Sequence, residues 1–148
     1  MRIIITGSAG FIGYHLAKKL LKNKKNQVLG IDSLNNYYSI KVKKLRIKFL
    51  KNNKNFVYKK INLRVKSKVD KIFKIFNPDL VYHIAGQPGV LYSFKNPKSY
   101  QLNNIDATKV ISSAAKKYQT KKFIFASSSS VYGDQKKFPI LESAKTNP

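Results

Sequence analysis

The sequence predicts an α/β fold: a doubly wound parallel sheet of about five strands with helices on both faces. Three observations carry that prediction. Short apolar runs alternate with longer segments of helical spacing along the chain. No tight hairpin signal joins any two runs, so the strands pair in parallel through right-handed crossovers. A glycine-rich turn follows the first strand, and an aspartate closes the second.

The elements follow in order. Ile3-Ile4-Ile5 is a β-branched run and reads as a buried strand that stops at Thr6-Gly7. From Phe11 to Leu21, apolar positions 12, 16, 20 and 21 have helical spacing, with Lys18, Lys19 and Lys22 toward water. Val28-Leu29-Gly30-Ile31 is the second strand. Residues 40–51 read as a helix whose apolar positions are 42, 45, 49 and 50, with lysine on the other face. Phe56-Val57-Tyr58 opens the third strand, and the helix over 65–76 ends at Asn77-Pro78, because the residue before a proline resists the helical conformation. Leu80-Val81-Tyr82 is strand four. Residues 85–97, with two glycines and two prolines, read as a loop. Residues 99–118 read as one long helix, and Phe123 to Ala126 as strand five. The tail from 134 to 148 carries no clear pattern.

At 148 residues the chain fits one domain and can bury a core. It has no cysteine, which excludes disulfides, thiolate metal sites and a cysteine nucleophile, and no metal site is expected. No apolar run approaches a bilayer span, so no membrane partner and a cytoplasmic location are expected. The net charge of +24 invites a nucleic-acid reading. However, only Arg2, Arg46 and Arg64 are arginine, the usual bidentate reader of bases and phosphates. The lysines are spread along the chain and accompany abundant Asn and Ile, the pattern of compositional drift. No specific nucleic-acid partner is expected.

Gly7-Ser8-Ala9-Gly10-Phe11-Ile12-Gly13 lies between a strand and a helix, where a dinucleotide's pyrophosphate sits. Glycines let the backbone approach, and the helix N-terminus offers unpaired N–H groups and a positive dipole end. Asp32 lies nineteen residues past Gly13, at the end of the second strand. There it accepts hydrogen bonds from the adenosine ribose and repels a 2′-phosphate. The combination predicts a Rossmann-type site that takes NAD in preference to NADP.

Ser127-Ser128-Ser129-Ser130-Val131-Tyr132-Gly133 follows strand five at the carboxyl edge of the sheet, where ligands of such folds bind. Serine hydroxyls there can hydrogen-bond a reacting alcohol or carbonyl, but an isolated serine is a poor base. His15, in the first helix, and His83, at the end of strand four, read as structural.

Four segments together resemble extended short-chain dehydrogenase/reductases of the NAD-dependent epimerase/dehydratase type. They are Thr6 to Gly13, Asp32-Ser-Leu-Asn-Asn-Tyr-Tyr38, His83-Ile-Ala-Gly86 and Ala126 to Gly133. Gln87-Pro-Gly-Val-Leu-Tyr-Ser93, with Asn96-Pro97 and Tyr100, is similar more narrowly to UDP-glucuronate 4-epimerases. The resemblance implies that Gly7, Gly10, Phe11, Ile12 and Gly13 surround the pyrophosphate and Asp32 and Asn35 the adenosine ribose. It also implies that Ala85 faces the cofactor and that Asn104 lies in the helix supporting the active site. Ser128 matches the family's catalytic serine or threonine, and Ser130 lies near a UDP-sugar substrate. In such enzymes bound NAD takes a hydride from sugar C4 and returns it to the other face. Asn62 stands where the family usually has an aspartate that accepts from the adenine amine, and its amide oxygen is expected to accept in that place. Arg64 replaces a further acidic residue, Gly86 an alanine, and Leu91 an arginine of the glucuronate epimerases.

The family's base is the tyrosine of a Tyr-x-x-x-Lys pair. Tyr14/Lys18, Tyr37/Lys41, Tyr118/Lys122 and Tyr132/Lys136 have the spacing, but none occupies the family's position after the serine loop, which is expected just past Pro148. Residues 1–148 are therefore expected to form a C-terminally truncated NAD-binding domain without the substrate domain. Alone, it is expected to bind NAD weakly, turn over no sugar and aggregate through an edge left at strand five. The intact enzyme is expected to be a homodimer. A 4,6-dehydratase fragment and a non-catalytic NAD-binding regulator are the alternative readings.

Overall fold

A computed structural model describes residues 1–148. Five strands, β1 (Arg2–Thr6), β2 (Gln27–Asp32), β3 (Phe56–Lys60), β4 (Leu80–His83) and β5 (Lys122–Phe125), form one sheet in the order β3-β2-β1-β4-β5. Every pairing is parallel. The helices between them are α1 (Phe11–Leu20), α2 (Ile40–Lys51), α3 (Lys66–Phe76), α4 (Val90–Lys95), α5 (Pro97–Tyr100) and α6 (Ala107–Lys117). The doubly wound sheet expected from the sequence is thus present.

β1 lies at the centre, and its residues Ile3 to Thr6 have no exposed surface. Because successive side chains of a strand point to opposite faces, the isoleucine run feeds two cores at once. Ile3 and Ile5, with Val28 and Leu80, pack under Ala17 and Leu21 of the first crossover and Leu50 of α2. Ile4, with Leu29, Ile31 and Val81, packs under Val69 and Phe73 of α3 and Ile111, Ala114 and Ala115 of α6. Asn77 ends α3 in the left-handed conformation, its N–H donating to the Phe73 carbonyl 2.8 Å away, ahead of Pro78 as expected.

Three expectations need correction. In α2 the buried positions are Lys43, Ile47 and Leu50, while Val42, Leu45 and Phe49 face outward. The helix carries apolar residues on more than one side, so periodicity places Leu50 in the core but misses Lys43 and Ile47. Within the expected loop 85–97, Val90–Lys95 is helical. The expected helix over 99–118 begins at Pro97, with Asn96 accepting from the Ser99 N–H and proline at the first helical position. It passes through a π-helical stretch, Gln101–Asp106, before continuing as α6. β5 is an edge strand whose Phe125 is half exposed. No helix is long and apolar enough to cross a membrane.

Candidate functional site

The chain winds outward in opposite directions from β1 and β4, and a cavity of about 590 Å³ opens over the carboxyl ends of the strands around this switch point. Its floor is tied together by Thr6. The Thr6 hydroxyl oxygen accepts from the N–H groups of Ile84 and Ala85, each at 3.1 Å, and its proton is directed at His83 Nδ1, 2.7 Å away. His83 Nε2 in turn lies 2.8 Å from the Thr108 hydroxyl, which donates to the Asn104 carbonyl. This order of donors assigns the neutral imidazole with its proton on Nε2.

His83 is fully buried, and burial pushes its pKa down to about 4. A depressed pKa contributes stability that is present above the unfolded value near 6.5 and is lost as pH falls toward 4. His83 is structural, as expected. Denaturant midpoints at pH 7 and pH 4 should show an acid-linked loss of about 3 kcal/mol that a His83→Gln variant lacks. An equal loss in both proteins would refute this.

The glycine turn forms the wall nearest β1. Gly7 has φ +69°, and a Cβ there would lie 2.9 Å from the backbone of Ala85. A Cβ on Gly13 would overlap the carbonyl of Gly7. No side chain caps the start of α1, so its first-turn amides at Phe11, Ile12 and Gly13 are open to an anion beside Gly10. Asp32 closes the turn from β2. Its Oδ2 accepts from the Ala9 N–H at 3.1 Å and its Oδ1 from the Leu34 N–H at 2.8 Å. Gly7, Gly10, Phe11, Ile12, Gly13, Asp32, Asn35, Asn62 and Ala85 all line this one cavity. Every cofactor-contacting residue expected from the sequence is therefore brought together.

Two other expectations fare differently. Ser128 and Ser130 lie outside the cavity, exposed beyond β5, with their hydroxyls 2.8 Å apart. Asn62 is at the cavity, but its Oδ1 already accepts from the backbone N–H of Arg64 at 3.1 Å and from its Nε at 3.3 Å. An amide oxygen has two lone pairs, so the expected acceptor for an adenine amine is spent.

The structure adds residues that sequence reasoning missed. Lys43 is buried without an acidic partner, its Nζ donating to the Asn35 carbonyl at 2.9 Å and to Asn35 Oδ1 at 2.7 Å. Arg46 donates to the Ala9 carbonyl at 3.2 Å and lies over the Phe11 ring. The signal for Arg46 was its identity: in a chain whose bases are nearly all lysine, arginine appears where a fixed fork is needed. Asn104, already expected from resemblance in the helix supporting the active site, grips Gln87 like a strand neighbour, accepting from its N–H at 2.6 Å and donating to its carbonyl at 3.1 Å. That grip falls in the π-helical stretch, an irregularity common at functional sites.

A dinucleotide fits what is present. Glycines leave backbone room for a diphosphate, open amides face it, and a carboxylate stands one sugar away.

Comparison with known proteins agrees with the geometry. The family model described as the NAD dependent epimerase/dehydratase family matches residues 3–148. Protein CapI of Staphylococcus aureus is 41% identical over 97% of this chain and 42% of its own length. A probable UDP-glucuronate 4-epimerase of Rhizobium meliloti is 34% identical over 99% of this chain and 43% of its own. The crystal structure of UDP-glucuronic acid 4-epimerase from Bacillus cereus, in complex with UDP-glucuronic acid and NAD, superposes with a TM-score of 0.90. It is 36% identical, over all of this chain and 46% of its own. The chain spans less than half the length of these relatives. It matches their N-terminal part and shares with them the fold that carries the glycine turn. A sheet, a turn and a strand-end aspartate in this order, matched from end to end, mean that the chain belongs to the NAD dependent epimerase/dehydratase family.

Proposed function

We propose that residues 1–148 are the NAD-binding part of a nucleotide-sugar 4-epimerase of the UDP-glucuronate 4-epimerase type. The observation that carries the reading is the convergence of the glycine turn, Asp32, Asn35, Asn62 and Ala85 on one cavity at the switch point. Similarity to epimerases crystallised with NAD and UDP-sugars supports it.

In this reading Gly7, Gly10 and Gly13 admit the pyrophosphate, and the amides of Phe11 and Ile12 hydrogen-bond it. Asp32 accepts from the ribose hydroxyls while its two backbone donors keep it in place. Lys43 fixes Asn35 so that the Asn35 amide nitrogen is left free to face the same ribose. Bound NAD supplies the hydride acceptor and donor for sugar C4. Ser128 hydrogen-bonds the reacting hydroxyl, and Ser130, linked to it, contacts the substrate. A UDP-sugar partner, a homodimer and a cytoplasmic location belong to the same proposal for an enzyme of the relatives' length.

Calorimetric titration of the folded chain with NAD tests the central claim. Saturable one-site binding, stronger than for NADP, is the expected result. No saturation in a sample with intact far-UV circular dichroism would end the proposal.

A further inference from the structure

The dinucleotide site has a polarity at its base end that differs from an acceptor site. If the pyrophosphate lies at the turn after β1 and the ribose at the end of β2, the base lies next along the edge, at the end of β3. Ile61, Asn62 and Leu63 line the cavity there. Asn62 is the polar side chain among them. Its Oδ1 is engaged by two donors of Arg64, which also assigns the amide orientation, because only oxygen can accept from both. Its Nδ2 donates to nothing within the chain, leaving two N–H groups for a ligand. The polar recess of about 490 Å³ that continues beyond Asn62 is lined by Lys60 and Arg64 and by no carboxylate. Its charged groups too are pure donors.

Adenine offers an amine, which needs an acceptor, beside ring nitrogens that accept. A 6-oxopurine offers a carbonyl oxygen and N7, two acceptors side by side. Resting on the proposed dinucleotide site, we infer that Asn62, locked by Arg64, reads the base as a donor and admits a 6-oxopurine dinucleotide as readily as NAD. The adenine amine finds no acceptor in Asn62, whereas the carbonyl of hypoxanthine meets a free N–H. Asn62 and Arg64 are then the specificity-determining pair for the base.

The test compares the affinities of the folded chain for NAD and for nicotinamide hypoxanthine dinucleotide by calorimetry. The expected result is a preference for NAD smaller than about fivefold, the size of one neutral hydrogen bond, or a preference for the hypoxanthine form. A preference for NAD of about fivefold or more overturns the inference and leaves the site standing. Failure of both ligands to bind a folded sample overturns the site and the inference together. Asn62→Asp should shift the ratio toward NAD by about tenfold, because a carboxylate accepts from the amine and repels the carbonyl. Should that variant fail to fold, Arg64→Ala frees one lone pair of Asn62 Oδ1 and should shift the ratio in the same direction by a smaller factor. An unchanged ratio in the folded variants overturns the inference.

Discussion

Gly13→Ala is expected to abolish cofactor binding and destabilise the fold by about 3 kcal/mol or more, the upper range for overpacking against atoms that cannot step aside. The added methyl would overlap the Gly7 carbonyl oxygen and press on Ser8 Cα, both main-chain atoms. Gly7 has little room to yield, because the backbone of Ala85 closes the space beside it, 2.9 Å from where a Cβ would stand, and its φ is +69°. The strain would therefore displace the turn from the start of α1 and disturb the open amides proposed to bind the pyrophosphate. Urea denaturation would give the loss of stability, and calorimetry with NAD the loss of binding. A variant of wild-type stability that still saturates with NAD would contradict the geometry described for the turn.

The second large effect is expected at Asp32. Asp32→Asn keeps the shape but turns an amide N–H toward one of the two backbone donors that the carboxylate now satisfies. It also removes the carboxylate from a cavity that retains Lys43 and Arg46. Each lost hydrogen bond to a charged group costs about 1.5–3 kcal/mol, so NAD affinity should fall by roughly 10- to 100-fold. NADP should lose much less, because its 2′-phosphate no longer meets a negative charge and finds two cations nearby. Paired titrations of wild type and variant measure both changes. An equal loss for the two cofactors would show that Asp32 shapes the turn without reading the ribose.

Much of this site was legible in the residue order. The turn from Gly7 to Gly13 and Asp32 nineteen residues later belong to local structure, one strand end and one helix start each, so spacing locates them. Ala85 and Asn35 followed from resemblance and line the same cavity. Lys43 was not legible. It falls on the buried face of α2, in a helix where lysine recurs nearly every other position, and nothing in the spacing separates it from solvated neighbours such as Lys44. Its role exists only because the chain after β2 folds back to set the Asn35 carbonyl and amide oxygens beside its ammonium group. The same holds for Asn62. Residue type suggested an amide oxygen accepting in the aspartate's place, but the neighbour two positions on engages that acceptor.

The sequence by itself determined the alternation of strands and helices, the parallel sheet and the glycine turn, because these depend on periodicity and on backbone freedom within a few residues. Tertiary structure alone decided which side of α2 turned inward, that Ser128 and Ser130 stand apart from the cavity, and which way Asn62 faces. Those outcomes depend on which donors, acceptors and apolar faces meet across the fold, and a hydrogen bond or a buried face has no direction until its partner is in place.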